Sequence, residues 1–298
     1  MKNMKWLIGC LMLLSLSACV EEAVEDKPKS ESTRSDSGLS KFEKAIEPKD
    51  HIVDKKKFLN GIQIQWFEKG KGEALQAGNV YELNYKVKLE NGTIVDGNHL
   101  LKKEMIPFLM GYNMQTPGWD IAMTELHEGD FVEIYLPAKF ARGEKGIPGV
   151  IPPNSPNIIF MRVGKKVNPI KTEKGVKVWV FERNEDLKDY KIGMNSEVAI
   201  AYFVGTKTNP RYDNSYQRNQ PFTFRMTDAS LIPGLKIGLK DVQLFDKCLV
   251  LVPASQAYGS RGYVDLVKPN EELVYELFIT DVDRKSVEVL KRIEKMKH

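Results

Sequence analysis

A chain of 298 residues, 42% hydrophobic and 28% charged, has the composition of ordinary globular protein and the length for two domains rather than one. Its net charge of +4 comes from dispersed Lys and Arg, with no basic stripe alternating with aromatics, which argues against a nucleic-acid-binding face and for solvated surfaces. Of three cysteines, at 10, 19 and 248, the first falls in an N-terminal signal and the second follows its end, so no internal disulfide is expected and the cores must supply the stability.

Residues 1–18 read as an export signal. Lys2 and Lys5 precede or flank a short apolar run from Trp6 to Leu16, below the ~20 residues that a spanning helix needs. The run closes on Leu16-Ser17-Ala18-Cys19, which resembles the lipobox of bacterial lipoproteins. That resemblance implies lipidation of Cys19 and a membrane anchor, with an incidental cysteine as the alternative. By the same resemblance, Val20 after the cysteine implies the outer membrane, on its periplasmic side. Glu21, Glu22, Glu25 and Asp26 resemble an acidic surface-export signal, but are read as part of a solvated tether.

Residues 19–57 are dominated by charged and small polar side chains and cannot bury enough apolar surface to order themselves. They are expected to form a tether with an r.m.s. reach of roughly 35 Å. Within it, Leu39, Phe42 and Ile46 are spaced like one short helical face able to dock on the adjoining domain.

From Gly61 the pattern turns to strands. Tyr81, Leu83, Tyr85, Val87 and Leu89 alternate with Glu82, Asn84, Lys86 and Lys88, and Asn91-Gly92 marks a hairpin. Pro117-Gly118 precedes Trp119, Ala122, Met123 and Leu126 at helical spacing. Strands at 131–136 and 158–163 complete the set, and many strands around one short helix indicate an α+β domain on an antiparallel sheet.

The same order then returns. Tyr85, Asp96, Phe108, Gly118, Pro137, Gly143 and Pro153 recur as Tyr202, Asp213, Phe224, Gly234, Pro253, Gly259 and Pro269, at offsets of 116 or 117 residues. A constant offset over that span marks a tandem duplication, with domains expected at 58–168 and 169–285 and a charged, solvated helical tail at 286–298. No heptad segment suggests a dimerisation helix, so a monomer is expected.

Neither paired zinc-ligand spacing, nor a Ser/Cys–His nucleophile motif, nor a phosphate-binding glycine loop occurs, so no metal or cofactor is expected. What remains is an aromatic set in the second repeat. With Pro221-Phe-Thr-Phe224, Leu231-Ile-Pro-Gly234, Ala257-Tyr-Gly259 and, in the first repeat, the run from Gly146 to Pro153, each repeat resembles the FKBP-type peptidyl-prolyl isomerases from end to end.

The resemblance implies a curved antiparallel sheet wrapped around a short helix, an apolar prolyl pocket, and prolyl-containing polypeptides as partners. In the second repeat it implies Tyr258 as hydrogen-bond donor to the substrate carbonyl and Asp213, partnered by the Tyr202 hydroxyl, as the carboxylate near the twisting amide. Substrate contacts are expected from Tyr212, Phe222, Phe224, Leu231, Ile232, Leu235, Tyr263, Leu266, Val267 and Tyr275, with Leu235 as floor. In the first repeat the pocket would be Tyr85, Asp96, Phe108, Trp119, Val150, Ile151 and Phe160. There Gln115-Thr116 replace the apolar pair, Val95 an aromatic residue, Ile106 and Ile147 stand for Phe222 and Tyr263, and Arg142 replaces the donor tyrosine. A buried guanidinium suits a neutral prolyl peptide poorly, so catalysis is expected in the second repeat and weak holding in the first. The alternative is a chaperone or envelope-complex binding module without turnover.

Overall fold

The computed structural model describes residue 46, residues 51–101 and residues 103–296. The export signal expected at 1–18, the lipidation expected at Cys19, and Leu39 and Phe42 lie outside the described residues. The chain divides into two compact units after Val167, one residue before the expected boundary.

Unit 1 is a seven-stranded antiparallel sheet: β1 (Asp54–Lys57), β2 (Gln63–Glu68), β3 (Val80–Lys88), β4 (Ile94–Gly97), β5 (Ile106–Leu109), β6 (Phe131–Leu136) and β7 (Asn157–Val167). Their spatial order is β1-β2-β6-β7-β3-β4, with β5 sharing the outer edge of β3. Unit 2 repeats this with β8 (Lys171–Glu173), β9 (Val176–Glu182), β10 (Glu197–Gly205), β11 (Asp213–Asn214), β12 (Phe222–Arg225), β13 (Lys247–Val252) and β14 (Leu273–Val282), ordered β8-β9-β13-β14-β10-β11 with β12 on β10. Identical order and pairing confirm the duplication and the α+β class. Register shifts at Tyr81/Leu83 in unit 1 and Ala199/Ile200 in unit 2 bend each long strand.

Four α-helices are described: α1 (Asn98–Leu101), α2 (Pro117–Met123), α3 (Pro233–Leu239) and α4 (Ser286–Met296). Helices α2 and α3 open with proline in the first turn, where its missing N–H is no loss. They bury Trp119, Ala122 and Met123, or Leu235 and Leu239, against the sheet. Their close approach requires Gly118 and Gly234. A β-carbon at Gly118 would stand 2.6 Å from the Phe140 carbonyl oxygen, and one at Gly234 2.1 Å from Val252 Cγ1.

A buried aspartate anchors the turn before β6 and before β13. Asp130 accepts from the His127 N–H and the Trp66 indole N–H, and Asp246 accepts from the Gln243 N–H and a bidentate Arg183. Cys248 is buried within the unit 2 core, where burial pushes its thiol pKa up, as a small apolar residue would sit.

Two readings change at the edges and one holds. β1 is a strand made of Asp54, Lys55, Lys56 and Lys57, inside the stretch read as tether: an edge strand pairs through its backbone, and all four side chains stay exposed. Ile46 is 2% exposed and packs with Phe67, Phe131 and Phe160, in keeping with the docking expected of it. The C-terminal helix α4 is not solvated all round, since Val289 is fully buried in the unit 2 core and Ile293 packs against it.

Candidate functional site

In unit 2 the strand order brings β10, β11 and β12 together beside α3. Tyr202 comes from β10 and Asp213 from β11. The residue two beyond the aspartate pins them: the Tyr202 backbone N–H donates to Ser215 Oγ at 2.9 Å. Unit 1 uses the same device, the Tyr85 N–H donating to Asn98 Oδ1 at 2.9 Å. The Tyr202 hydroxyl donates to Asp213 Oδ2 at 2.5 Å, as expected for the pair.

A third member was not foreseen. Arg218, from the loop between β11 and β12, donates through Nη1 to Asp213 Oδ1 (2.5 Å) and through Nη2 to the Tyr202 hydroxyl (2.6 Å). The three groups close a ring. Burial alone would raise the Asp213 pKa, but Arg218, the Tyr202 hydroxyl and the Asn214 N–H outweigh it and hold the carboxyl below its ordinary value. Burial and the Asp213 carboxylate push Tyr202 up to about 12, so its proton stays in place at neutral pH.

Around this ring stands an aromatic wall. The Tyr202 ring lies 6.2 Å from Phe222 and 6.4 Å from Tyr275, and Phe222 is 5.1 Å from Phe224. Leu231, Leu235, Val267 and Tyr275 are buried in the same cluster, with Tyr212, Ile232 and Tyr258 packed on it. Tyr258 stacks on Tyr263, with ring centroids at 4.7 Å. The hydroxyl of Tyr258 has no hydrogen-bond partner among the described residues, and burial raises its pKa. Phe222, Tyr263 and Leu266 are 43%, 46% and 38% exposed, so the wall presents apolar surface to solvent instead of closing on itself.

In unit 1 the counterpart is a narrow cleft with polar groups set among apolar ones. Its lining includes Val87, Val95, Asp96, Gln115, Thr116, Trp119, Arg142, Val150, Ile151 and Asn157. Trp119 is held edge-on to Tyr85 (5.0 Å) and stacked on Phe108 (5.7 Å). The Tyr85 hydroxyl donates to Asp96 at 3.2 Å, and Arg142 Nη2 donates to Gln115 Oε1 at 2.9 Å. Here burial wins over the Gly97 N–H, Tyr85 and Arg142, and the Asp96 pKa is raised. The two equivalent carboxyls are thus shifted in opposite directions.

Phe160 does not belong to this cleft. Ile134 pairs with Ile159 as Val250 pairs with Tyr275, so Ile159 is the counterpart of Tyr275. One residue along, Phe160 points to the other face, 6.4 Å from Phe67 in the cluster that holds Ile46. The first repeat therefore has an aliphatic residue at that wall position. Asn157 was also missed. It pairs with Leu136 as Leu273 pairs with Val252, so a buried amide stands where unit 2 has leucine.

Residues 71–161 and 189–280 each match the family model for FKBP-type peptidyl-prolyl cis-trans isomerase. The peptidyl-prolyl cis-trans isomerase Mip of Coxiella burnetii (strain RSA 493 / Nine Mile phase I) is 34% identical over 119 residues, 40% of this chain and 48% of that protein. The FKBP-type isomerase FkpA of Escherichia coli (strain K12) is 34% identical over 89 residues, 30% of this chain and 32% of that one. The chain thus spans less than half the length of these two relatives. Among solved structures, the three FKBP domains of wheat FKBP73 align at a TM-score of 0.37 and 22% identity, covering 75% of this chain and 95% of that one. With the family model matching both repeats from the turn before β3 or β10 into the last strand of each sheet, the chain belongs to the FKBP-type peptidyl-prolyl cis-trans isomerase family.

Proposed function

We propose that unit 2 catalyses cis–trans isomerisation of prolyl peptide bonds in polypeptides, that unit 1 holds polypeptide without comparable turnover, and that Cys19 anchors both to the outer membrane of a bacterial envelope, facing the periplasm, to assist the folding of exported proteins. The observation that carries the assignment to unit 2 is the open aromatic wall beside the Tyr202–Asp213–Arg218 ring, against a cleft in unit 1 lined by Arg142, Gln115 and Thr116. The anchor rests on the N-terminal sequence pattern around Cys19.

Twisting a prolyl amide meets a barrier of ~18–20 kcal/mol because it destroys resonance. Shortening tens of seconds to milliseconds takes about four decades, or ~5–6 kcal/mol. Water stabilises the planar, polarised amide more than the twisted one, and desolvating an amide costs roughly 2–7 kcal/mol. An apolar wall that removes that water supplies much of the difference. On this reading Leu235 is the floor for the prolyl ring, with Phe222, Ile232 and Tyr275 around it. Tyr258, its hydroxyl unengaged, donates to the substrate carbonyl, and the Asp213 carboxylate faces the rotating amide. No nucleophile is formed and no bond is broken.

The test is prolyl isomerisation of short Xaa-Pro peptides by the full chain, with Tyr258→Phe and Asp213→Leu as variants. A folded wild-type chain without activity, or activity unmoved by both substitutions, overturns the reading and leaves two binding modules.

A further inference from the structure

Between Tyr258 and Tyr275 the wall of unit 2 is supplied by a tight loop, and one carboxylate ties that loop down. Tyr263 and Val267 pair as an isolated bridge, and the Leu266 and Val267 N–H groups both donate to the Tyr263 carbonyl. The Asn270 N–H reaches back to the Gly259 carbonyl at 2.8 Å. Glu271 then closes the loop. Its Oε2 accepts from the Lys268 N–H at 3.0 Å, and its Oε1 accepts from the Thr208 hydroxyl at 2.7 Å. Thr208 lies in the connection between β10 and β11, the strand that carries Asp213. Its neighbour Asn209 donates through Nδ2 to the Leu266 carbonyl at 3.1 Å, and the Asn209 backbone N–H is held by the Thr206 hydroxyl, itself 1% exposed. Burial alone would raise the Glu271 pKa, but the Thr208 hydroxyl, the Lys268 N–H and Thr206 outweigh it and hold the carboxyl below its ordinary value.

Unit 1 has the loop without the tie. Ile147 bridges Ile151 as Tyr263 bridges Val267, and the Asn154 N–H donates to the Gly143 carbonyl as Asn270 does to Gly259. That register makes Ser155 the counterpart of Glu271. Val87 pairs with Asp96 as Val204 pairs with Asp213, so Leu89, Asn91 and Gly92 are the counterparts of Thr206, Thr208 and Asn209. Leucine and glycine offer no side-chain hydrogen bond and serine no carboxylate, while Asn91 is turned onto its own hairpin, accepting from the Thr93 N–H. The tie therefore belongs to the repeat whose wall is open and not to the shared fold. We infer that Glu271 is a positioning residue for the prolyl site of unit 2: through Thr208 and Lys268 it fixes the loop that presents Tyr263, Leu266 and Val267, and so sets affinity for the prolyl segment while the chemistry stays with Tyr258 and Asp213. A loop ordered before binding spares the complex the entropy of ordering it on contact. The inference rests on unit 2 as the prolyl-binding repeat of the proposed function.

The experiment measures kcat and KM for a short Xaa-Pro peptide on the full chain and on four variants: Glu271→Gln, Thr208→Val, Thr208→Ser and the double Glu271→Gln/Thr208→Val. Amide hydrogen exchange and thermal unfolding are followed on the same samples. Glu271→Gln and Thr208→Val should each raise KM about fivefold, the scale of one hydrogen bond, with kcat within about twofold of wild type. The double variant should be no worse than Glu271→Gln, because both changes remove the same contact. Thr208→Ser keeps the hydroxyl and should match wild type. Exchange should quicken at the Leu266 and Val267 amides and stay unchanged in β13 and β14. A merely structural role would lower the melting temperature without dividing KM from kcat. An unchanged KM, a fall in kcat as large as the rise in KM, additive effects in the double variant, or Thr208→Ser as poor as Thr208→Val overturns the inference and leaves the unit 2 assignment standing. Wild type that binds the peptide without turnover overturns the assignment to catalysis, and the same fivefold loss, read as Kd, then decides the inference. Wild type that neither binds nor turns over overturns both.

Discussion

Arg218 pairs with Asp213 through Nη1 and Oδ1 at 2.5 Å, and it comes from the loop between β11 and β12. The guanidinium also reaches the Tyr202 hydroxyl, so one exposed side chain sets both the charge and the orientation of the acidic group proposed to face the substrate. Arg218→Met removes the attraction that offsets burial, and the Asp213 pKa should rise from its lowered value. The isomerase pH profile of the variant should then lose activity at a higher pH on its acid side than wild type. Stability should change by less than ~1 kcal/mol, because the Arg218 side chain is 51% exposed and the pair is screened. Measuring kcat/KM from pH 3.5 to 7, with thermal unfolding alongside, separates the two effects. An unshifted acid limb would remove Asp213 from the mechanism.

Tyr258→Phe keeps the stacking on Tyr263 and deletes only a hydroxyl that has no hydrogen-bond partner among the described residues. Stability should therefore stay within about 0.5 kcal/mol, as for surface changes away from any structural feature. If that hydroxyl donates to the substrate carbonyl, the rate should fall about five- to twelvefold, the effect of one hydrogen bond of ~1–1.5 kcal/mol. Rate and melting temperature together make the check.

The oppositely shifted carboxyls give the two units opposite responses to acid. Asp96 has a folded pKa raised above its unfolded value, chiefly by burial. Its contribution to stability is full below the unfolded value near 4 and is lost as pH rises through the folded value, so at neutral pH its buried charge weakens unit 1. Asp213, lowered by Arg218 and Tyr202 against burial, stabilises unit 2 above that same unfolded value and ceases to as pH falls through its folded one. Asp96→Asn should therefore raise the stability of unit 1 at pH 7 and leave it nearly unchanged at pH 3. Amide hydrogen exchange resolved by unit, at the two pH values, checks the sign.

How far the sequence could be read depends on the reach of each signal. The sheet, the helix and the duplication were legible because apolar periodicity, Pro-Gly at the helix start and the 116-residue offset repeat across whole elements. Arg218 was not legible. It sits in an irregular loop where no period marks a residue as facing inward. Phe160 was misplaced because a strand alternates faces, so a one-residue slip in alignment moves a side chain to the other side of the sheet. Asn157 was hidden for a related reason: it begins β7, a strand that otherwise reads as an apolar run, and only the register with Leu136 equates it with Leu273. β1 was lost because its pairing is carried by backbone groups that charged side chains do not reveal.

Ile46 joins Phe67, Phe131 and Phe160 on the sheet face away from Trp119, and the first two of those rings are 5.1 Å apart. Its position ahead of β1 makes it a contact between the stretch that composition reads as tether and the folded unit. Ile46→Ala deletes most of a side chain that is 2% exposed, and substitutions of that kind cost about 2–5 kcal/mol. The lower part of that range applies here, since a cavity at the end of a segment can close by small shifts of its neighbours. Unit 1 should then unfold at lower denaturant while unit 2, which has its own core around Val178, Leu239 and Val250, keeps its midpoint. Tryptophan fluorescence reports on both units, Trp66 and Trp119 in the first and Trp179 in the second, so the denaturation curve should split into two transitions in the variant. A single transition at the wild-type midpoint would mean that the Ile46 contact contributes nothing to unit 1 and that the folded unit begins only at β1.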